Sequence, residues 1–338
     1  MGSAHLSLTF EAVTLSVMLL IIIIDLLLVI RRPHVPSFKE CVAWASFYIG
    51  IALIFGLVLY LVTQHAELTA QFYTGFVVEK SLSIDNLFIF IIILTRFKVP
   101  PQSQQTVLMI GILIALVLRG AMILVGAAVI ERWSWVFYIF GAFLIWTAWT
   151  QVKPGAHSGE EKPESRVVQI LRKRLSVSDE YVGNKFRTVV DGRKVWTPLF
   201  LVIIALGVTD VVFALDSIPA IFGITQDPFI VFSTNLFALM GLRQLYFLLG
   251  GLMDRLVYLP YGLGAILLYI GVKLILEAMS SNSLSWLNNG QPFVVPHPTP
   301  FQSLVVIIGI LTATAILSLT VGRKKIEREK AATEQAPQ

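Results

Sequence analysis

Nine long apolar segments limit what this chain can fold into. A helix needs about 20 consecutive apolar residues to cross the ~30 Å hydrocarbon core of a bilayer. Each segment approaches that length, and the mean hydropathy of the whole chain is +0.78. The pattern predicts an all-α polytopic membrane protein with nine transmembrane helices, at residues 9–30, 41–63, 69–95, 106–130, 133–152, 198–222, 228–252, 258–279 and 301–321.

The basic residues of the connecting loops predict the orientation of these helices. If the N-terminus lies outside, the segments on the inner side carry 21 of the 26 Lys and Arg residues, and the outer loops carry only Arg132. Such an excess of basic residues is typical of the cytoplasmic side. We therefore predict a multi-pass protein of a bacterial plasma membrane, with the N-terminus outside and the C-terminus cytoplasmic. Four basic residues lie within spans: Lys80, Arg119, Arg243 and Lys273.

Composition excludes several classes of protein and site. Hydrophobic residues make up 56% of the chain and charged residues 14%, whereas soluble domains have about 45–50% and about 25%. We expect the lipid bilayer as surroundings and no nucleic-acid partner. The single cysteine, Cys41, excludes an internal disulfide and a Cys-cluster metal site. The five histidines lie in loops or at span ends, and we expect no bound cofactor.

Spans 3–5 and 6–8 form an internal repeat. Residues 79–86 of span 3 and 210–217 of span 6 each have an acid, five residues, an Asp, and then Asn or Ser. The next span of each set carries one arginine, and the third carries a matching Gly-Ala-aromatic or aliphatic run beginning at Gly141 or Gly264. The predicted topology orients the two sets oppositely. Inverted three-helix repeats of this kind are characteristic of secondary transporters, whose substrate site lies near the midplane.

The intramembrane acids indicate the chemistry of such a site. Glu79, Asp85, Asp210 and Asp216 each cost about 2.5–3.5 kcal/mol at a helix centre, or on the order of 10 kcal/mol together. Pairing with the four basic residues of the spans is one explanation. A cavity lined with oxygen ligands is the other, and it is favoured because apolar replacements of buried ion pairs are often neutral or stabilising. With Asn86 and Ser217, these oxygen donors suit a hard divalent cation such as Mn²⁺, Ca²⁺ or Mg²⁺.

Helix geometry leaves the arrangement of these acids open. Residues seven apart share a face to within about 20°, as Glu79 does with Asn86 and Asp210 with Ser217, whereas residues six apart diverge by about 120°. Either each motif helix is broken, which Pro219 favours in span 6, or the site draws on two helix faces. Asp25 has no counterpart in the repeat, and an ion pair or a functional role would explain it equally well. Asn235 would bond between helices or add a ligand.

The two acidic motifs resemble the signatures of the TerC/Alx family of integral membrane proteins, a branch of the LysE-like transporter superfamily. The similarity extends through residues 225–249 and covers roughly residues 10–320. The family implies manganese efflux and, in some members, tellurium resistance or metal supply to exported proteins. By this resemblance the metal path contains Glu79, Asp85, Asn86, Asp210, Asp216 and Ser217. Span 8 has the family's Gly-x-Lys sequence at Gly271-Val272-Lys273, but span 5 has Ala148-Trp149-Thr150 at the matching place. This argues against a symmetric role for a lysine in each repeat.

The acids and the repeat predict a transporter of a hard divalent cation rather than an enzyme, and the resemblance implies export and Mn²⁺ as the ion. Arg119, Asn235, Arg243 and Lys273 would support the site. The alternative is a membrane assembly or insertion factor, or a tellurite-resistance factor, that binds protein partners through the charged loop at 153–197. The predicted units are a two-helix unit at 1–68, repeat A at 69–152, the cytoplasmic loop with a small hairpin at 153–197, repeat B at 198–280, a last helix at 281–322 and a tail at 323–338.

Overall fold

Ten α-helices and one short β-hairpin form the described part of the protein. The computed structural model describes residues 7–31, 36–133, 135–152, 170, 175–178, 180–190, 193–250, 258–282, 284, 287–296 and 298–322. The helices are α1 (Leu8–Arg31), α2 (Phe38–Thr63), α3 (Ala66–Arg96), α4 (Pro101–Arg132), α5 (Val136–Val152), α6 (Pro198–Phe222), α7 (Pro228–Leu239), α8 (Leu242–Leu249), α9 (Leu259–Ser280) and α10 (Pro300–Leu317).

Six of the helices in the described residues are long and apolar enough to cross a membrane: α1, α2, α4, α6, α9 and α10. Helix α3 is not among these six. With 31 residues it is long enough to cross a membrane, but it carries Glu79, Lys80 and Asp85 in its middle. Helices α5 and α7 are apolar but shorter. The protein is thus an all-α polytopic membrane protein, and the number of nine crossings stays a prediction.

Local chemistry explains where several helices begin. The Ser37 side chain accepts a hydrogen bond from the Glu40 backbone N–H at the start of α2. Asp227 accepts from the N–H groups of Phe229 and Ile230 at the start of α7. Thr299 and Gln302 form a reciprocal capping box at the start of α10. In each case a side chain satisfies donors that the first helical turn leaves unpaired.

The predicted seventh span consists of two helices. Helix α7 ends at Leu239 and α8 begins at Leu242, because Gly241 adopts a left-handed backbone conformation with φ of 75°. Glycine reaches this region without the steric cost that a Cβ atom imposes. Helix α6, by contrast, is continuous from Pro198 to Phe222 and includes Pro219. The prediction of a break at Pro219 in span 6 is therefore wrong, since the helix continues past the proline to Phe222.

Helices α5 and α9 pack closely and antiparallel. A Cβ atom on Gly141 would lie 2.7 Å from the Gly271 carbonyl oxygen, and one on Gly264 would lie 3.3 Å from that of Ala148. The repeat aligns Gly141 with Gly264, and therefore Ala148 with Gly271. Exchanging the two halves converts one of these contacts into the other, as a two-fold axis requires. The packing supports the inverted repeat, which itself stays a prediction.

Helix α3 lies in the interior of the molecule, packed against α2, α6, α7 and α10. Apolar side chains on α2, such as Leu53, Ile54 and Leu61, are exposed, as expected of a surface that faces acyl chains. Outside the helices, β1 (Arg187–Val190) pairs antiparallel with β2 (Arg193–Trp196), and Val190 is opposite Arg193. This hairpin is at the position that the sequence predicts, and its two turn residues lie outside the described part.

Candidate metal centre

A buried arginine joins the acids of the two motif helices. Arg119 of α4 donates from Nη1 to Glu79 Oε2 of α3 at 3.2 Å, and from Nη2 to Asp210 Oδ1 of α6 at 3.2 Å. The side chains of these three residues are at most 4% exposed. The structure thus brings together the first acid of each motif, at one guanidinium inside the helix bundle.

Asn86 completes the surroundings of Arg119 on the α3 side. With its amide oriented by its hydrogen bonds, Oδ1 accepts from Arg119 Nη2 at 2.8 Å and Nδ2 donates to the Leu82 carbonyl at 3.1 Å. Asn86 lies two helical turns after Glu79, so both side chains reach Arg119 from one face of α3. The shared face that the spacing predicts for this pair is present.

Several polar atoms of Arg119 and of the two motif helices are buried without a partner among the described residues. They include one carboxylate oxygen of each acid, Glu79 Oε1 and Asp210 Oδ2, as well as Arg119 Nε and the hydroxyl oxygens of Ser83 and Ser217. Buried polar groups are normally hydrogen-bonded, and an exception needs an explanation such as water, an ion or a functional role. Most of these unpartnered atoms are oxygens, which can ligate a cation.

The second acid of each motif is placed differently. Asp216 is half-buried on α6, and its charge acts on both Glu79 and Arg119. The backbone of Asp85 lies in α3, but its side chain is outside the described part. Within the described residues, no three His, Cys, Asp or Glu side chains are arranged to hold a metal ion. Glu79 and Asp210 are instead joined through Arg119.

The other intramembrane cations have other partners. Lys80 Nζ donates to the backbone carbonyl oxygens of Ala238 at 3.0 Å and Met240 at 2.7 Å. These are the carbonyls at the break between α7 and α8, where no further helical turn supplies their donors. The sequence did not predict that Lys80 would bind these carbonyls. Gly241 was the signal for a helix break at this place, where backbone carbonyls need other donors.

Two of the residues expected to support the site lie in other ion pairs or side-chain interactions. Arg243 Nη2 pairs with Asp25 Oδ1 of α1 at 3.2 Å, so Asp25 has the ion-pair role that was one of its two interpretations. Lys273 of α9 interacts electrostatically with Glu277 one turn further along. Asn235 is buried on α7, which packs against α3, and its Nδ2 has no partner among the described residues.

Comparison with known proteins identifies the family. The model of the "Integral membrane protein TerC family" matches residues 64–326. The chain belongs to the TerC family. The match includes both acidic motifs, Arg119 and the hairpin, so the cluster described above lies within the region that the family shares.

Curated relatives cover nearly the whole of this TerC-family chain. An "Uncharacterized membrane protein" of Mycobacterium tuberculosis is 40% identical over 98% of this chain and 83% of its own length. The "Putative membrane-bound redox modulator Alx" of Escherichia coli is 40% identical over 92% of this chain and 93% of its own. A further membrane protein, from Myxococcus xanthus, is 38% identical over 87% of this chain and 86% of its own. No solved structure matches the chain significantly.

Proposed function

We propose that this TerC-family protein exports a hard divalent cation, with Mn²⁺ as the first candidate. The observation that carries the proposal is the meeting of Glu79 and Asp210 at Arg119, where each acid keeps one buried carboxylate oxygen without a partner. Acids inside transmembrane segments are costly, and they mark substrate or ion pathways and proton relays. One acid comes from each half of the proposed inverted repeat, as in a site at a repeat interface.

The donor atoms favour a hard ion. The groups that contact Arg119 offer carboxylate and amide oxygens, the motif helices add the buried hydroxyls of Ser83 and Ser217, and the only thiol of the chain, Cys41, is on α2. Oxygen donors suit Mg²⁺, Ca²⁺ and Mn²⁺, whereas zinc and copper favour imidazole or sulfur. The preference for Mn²⁺ and the outward direction come from the resemblance to the family.

The name of the Escherichia coli relative raises redox modulation as an activity of that protein. In this chain a dithiol–disulfide cycle within one molecule is excluded, because Cys41 is its single cysteine. The structure offers no second thiol with which this chain could exchange electrons.

Flux of ⁵⁴Mn²⁺ in reconstituted liposomes tests the proposal. Glu79→Gln, Asp210→Asn, Asp85→Ala and Asp216→Ala should each abolish Mn²⁺ flux while the protein still inserts and elutes as a folded species. The matched control is Glu131→Gln, which changes an exposed acid at the end of α4 and should transport like the wild type. Normal flux by both Asp85→Ala and Asp216→Ala, or by both Glu79→Gln and Asp210→Asn, would reject the site.

Replacing the hairpin, residues 186–196, with a short Gly-Ser linker separates transport from the alternative of an assembly factor. Intact Mn²⁺ flux together with loss of a co-purifying protein places partner binding in the loop and transport in the helices. If wild-type protein moves no divalent cation in any gradient, the exporter proposal fails and the assembly factor becomes the leading hypothesis.

A further inference from the structure

We propose that Arg119 acts as a tethered substitute for the transported cation. Its guanidinium partly neutralises Glu79 and Asp210 when the site is empty, and it leaves them when a divalent ion binds. This inference rests on the proposed function and adds a step to it, namely how the empty carrier returns. It predicts which transport modes survive when the arginine is removed.

The contacts of Arg119 with the two acids are those of a displaceable cation, while its shortest contact, at 2.8 Å, is with the Asn86 amide oxygen. It makes one 3.2 Å contact with each carboxylate, whereas strong charge-assisted pairs are about 2.7–2.9 Å and often bidentate. One oxygen of each acid and Nε of the arginine are left without partners among the described residues. A divalent ion could therefore first bind the free oxygens and then take over the oxygens that the guanidinium occupies.

Arg119 offsets part of the negative charge of the empty site. Glu79 and Asp210 both contact its guanidinium, so an empty site without Arg119 would hold these two carboxylates in a low-dielectric interior without that cation. Uncompensated buried charges are strongly unfavourable. A carrier of that kind could move its site across the membrane barrier only with metal bound, and it would exchange metal for metal. With Arg119 in place, the empty site is partly neutralised and can return alone.

The other cations inside the bundle have other partners in the structure. Lys80 Nζ is bound to the carbonyls of Ala238 and Met240. Arg243 is paired with Asp25, and Lys273 interacts with Glu277. Among the described residues, Arg119 is therefore the cation in contact with the acids of both halves.

The test compares two transport modes in the same liposomes containing full-length protein. Net efflux is measured into Mn²⁺-free buffer, and exchange is measured as ⁵⁴Mn²⁺ uptake against unlabelled Mn²⁺ inside. Arg119→Gln should lower net efflux by more than about tenfold, because it raises the energy barrier for the return of the empty carrier. An increase of only ~1.4 kcal/mol in that barrier slows the step tenfold. The same variant should retain exchange within a factor of about three of the wild type, a change of under ~1 kcal/mol.

Two further variants keep the result interpretable. Arg119→Lys retains a positive charge and should recover part of the net efflux. Arg132→Gln, which removes an exposed arginine from the end of the same helix, should match the wild type in both modes. Retention of full net efflux by Arg119→Gln overturns the proposal. Equal loss of both modes by Arg119→Gln and Arg119→Lys also overturns it, because a purely structural arginine would behave in that way.

The design also separates this inference from the proposed function. If wild-type protein shows neither net efflux nor exchange of Mn²⁺, Ca²⁺ or Mg²⁺, the proposed function fails and the role of Arg119 fails with it. If wild-type protein transports in both modes and Arg119→Gln lacks the predicted split, the exporter stands and only the substitute-cation role is lost.

Discussion

The two halves of the proposed inverted repeat correspond in their packing at one helix crossing and differ in the partners of their arginines. Where α5 crosses α9, the contact of Gly141 with Gly271 and the contact of Gly264 with Ala148 are related by the repeat. Arg119 and Arg243 lie at equivalent places in the proposed repeat, but their contacts do not correspond. Arg119 is buried between two acids, whereas Arg243 pairs with Asp25 and is 16% exposed.

Under the proposed inverted repeat, this difference means that two packed halves related by symmetry can hold an asymmetric site. Asp25 belongs to α1, which lies outside both proposed repeats, so the second arginine pairs with an element that the first half does not have. The acids of both motifs share the remaining arginine. Packing at a helix crossing depends on small residues, and the proposed repeat has small residues at both places. Charge pairing depends on which neighbouring helices are present, and these differ between the two halves.

The largest expected effect comes from removing each arginine in turn. Arg119→Leu leaves Glu79 and Asp210 buried without a cation, and we expect a loss of about 3–5 kcal/mol in the free energy of unfolding. Arg243→Leu breaks a partly exposed pair and should cost about 1 kcal/mol or less. Unfolding by sodium dodecyl sulfate, followed by circular dichroism, measures both.

Metal addition sharpens this prediction. Mn²⁺ should restore stability to Arg119→Leu more than to the wild type, since it replaces the missing cation, by up to about 2.7 kcal/mol at a concentration 100 times its Kd. Equal destabilisation by the two leucine variants would contradict the comparison, because the two arginines would then be equivalent.

Hydropathy and loop charge predicted most of the helices but not the pairing of their charges. The period and length of apolar runs show which residues are in a span, and helices are present at each predicted segment. They do not show which cation reaches which acid. Lys80 follows Glu79 directly, yet adjacent helical residues point about 100° apart, and Lys80 binds carbonyls of α7 and Met240 instead.

The break in the predicted seventh span shows a second limit of the sequence. Residues 228–252 read as one apolar run, because hydropathy is blind to backbone conformation. The turn at Gly241 depends on a left-handed φ and on Lys80 from another helix. The acids of the site were found because charge inside an apolar run is conspicuous, whereas the central place of Arg119 required tertiary contacts.

The α5–α9 crossing should respond symmetrically to substitution. Gly141→Ala would place a Cβ atom 2.7 Å from the Gly271 oxygen, and Gly271→Ala would place one 2.9 Å from the Gly141 oxygen. Each should cost about 1–3 kcal/mol through overpacking, and the two losses should be similar. Thermal unfolding in detergent measures them. The control is Gly309→Ala, where a Cβ meets nothing within 4 Å; a loss there equal to the others would refute the steric explanation.

The Lys80 contact at the α7–α8 break should contribute an intermediate amount. Lys80→Met retains the aliphatic stem but leaves the Ala238 and Met240 carbonyls without their donor, which costs about 1–3 kcal/mol for a buried acceptor. Hydrogen exchange should increase at the backbone amides around 238–245. Lys39→Met, at an exposed position in the first turn of α2, is the control. Unchanged exchange around the break would show that Gly241 alone maintains it.

The smallest effect is expected at Asp25, and it decides whether the second arginine has only a structural pairing. Asp25→Asn keeps a hydrogen-bond acceptor for Arg243 and removes a charge that is 26% exposed, so the free energy of unfolding should fall by about 1 kcal/mol or less. Mn²⁺ flux should remain near the wild-type rate, since Asp25 lies outside the cluster around Arg119. A loss of flux comparable to that of Asp210→Asn would mean that the Asp25–Arg243 pair belongs to the ion path, and the contrast between the two arginines would then be one of position along a single pathway.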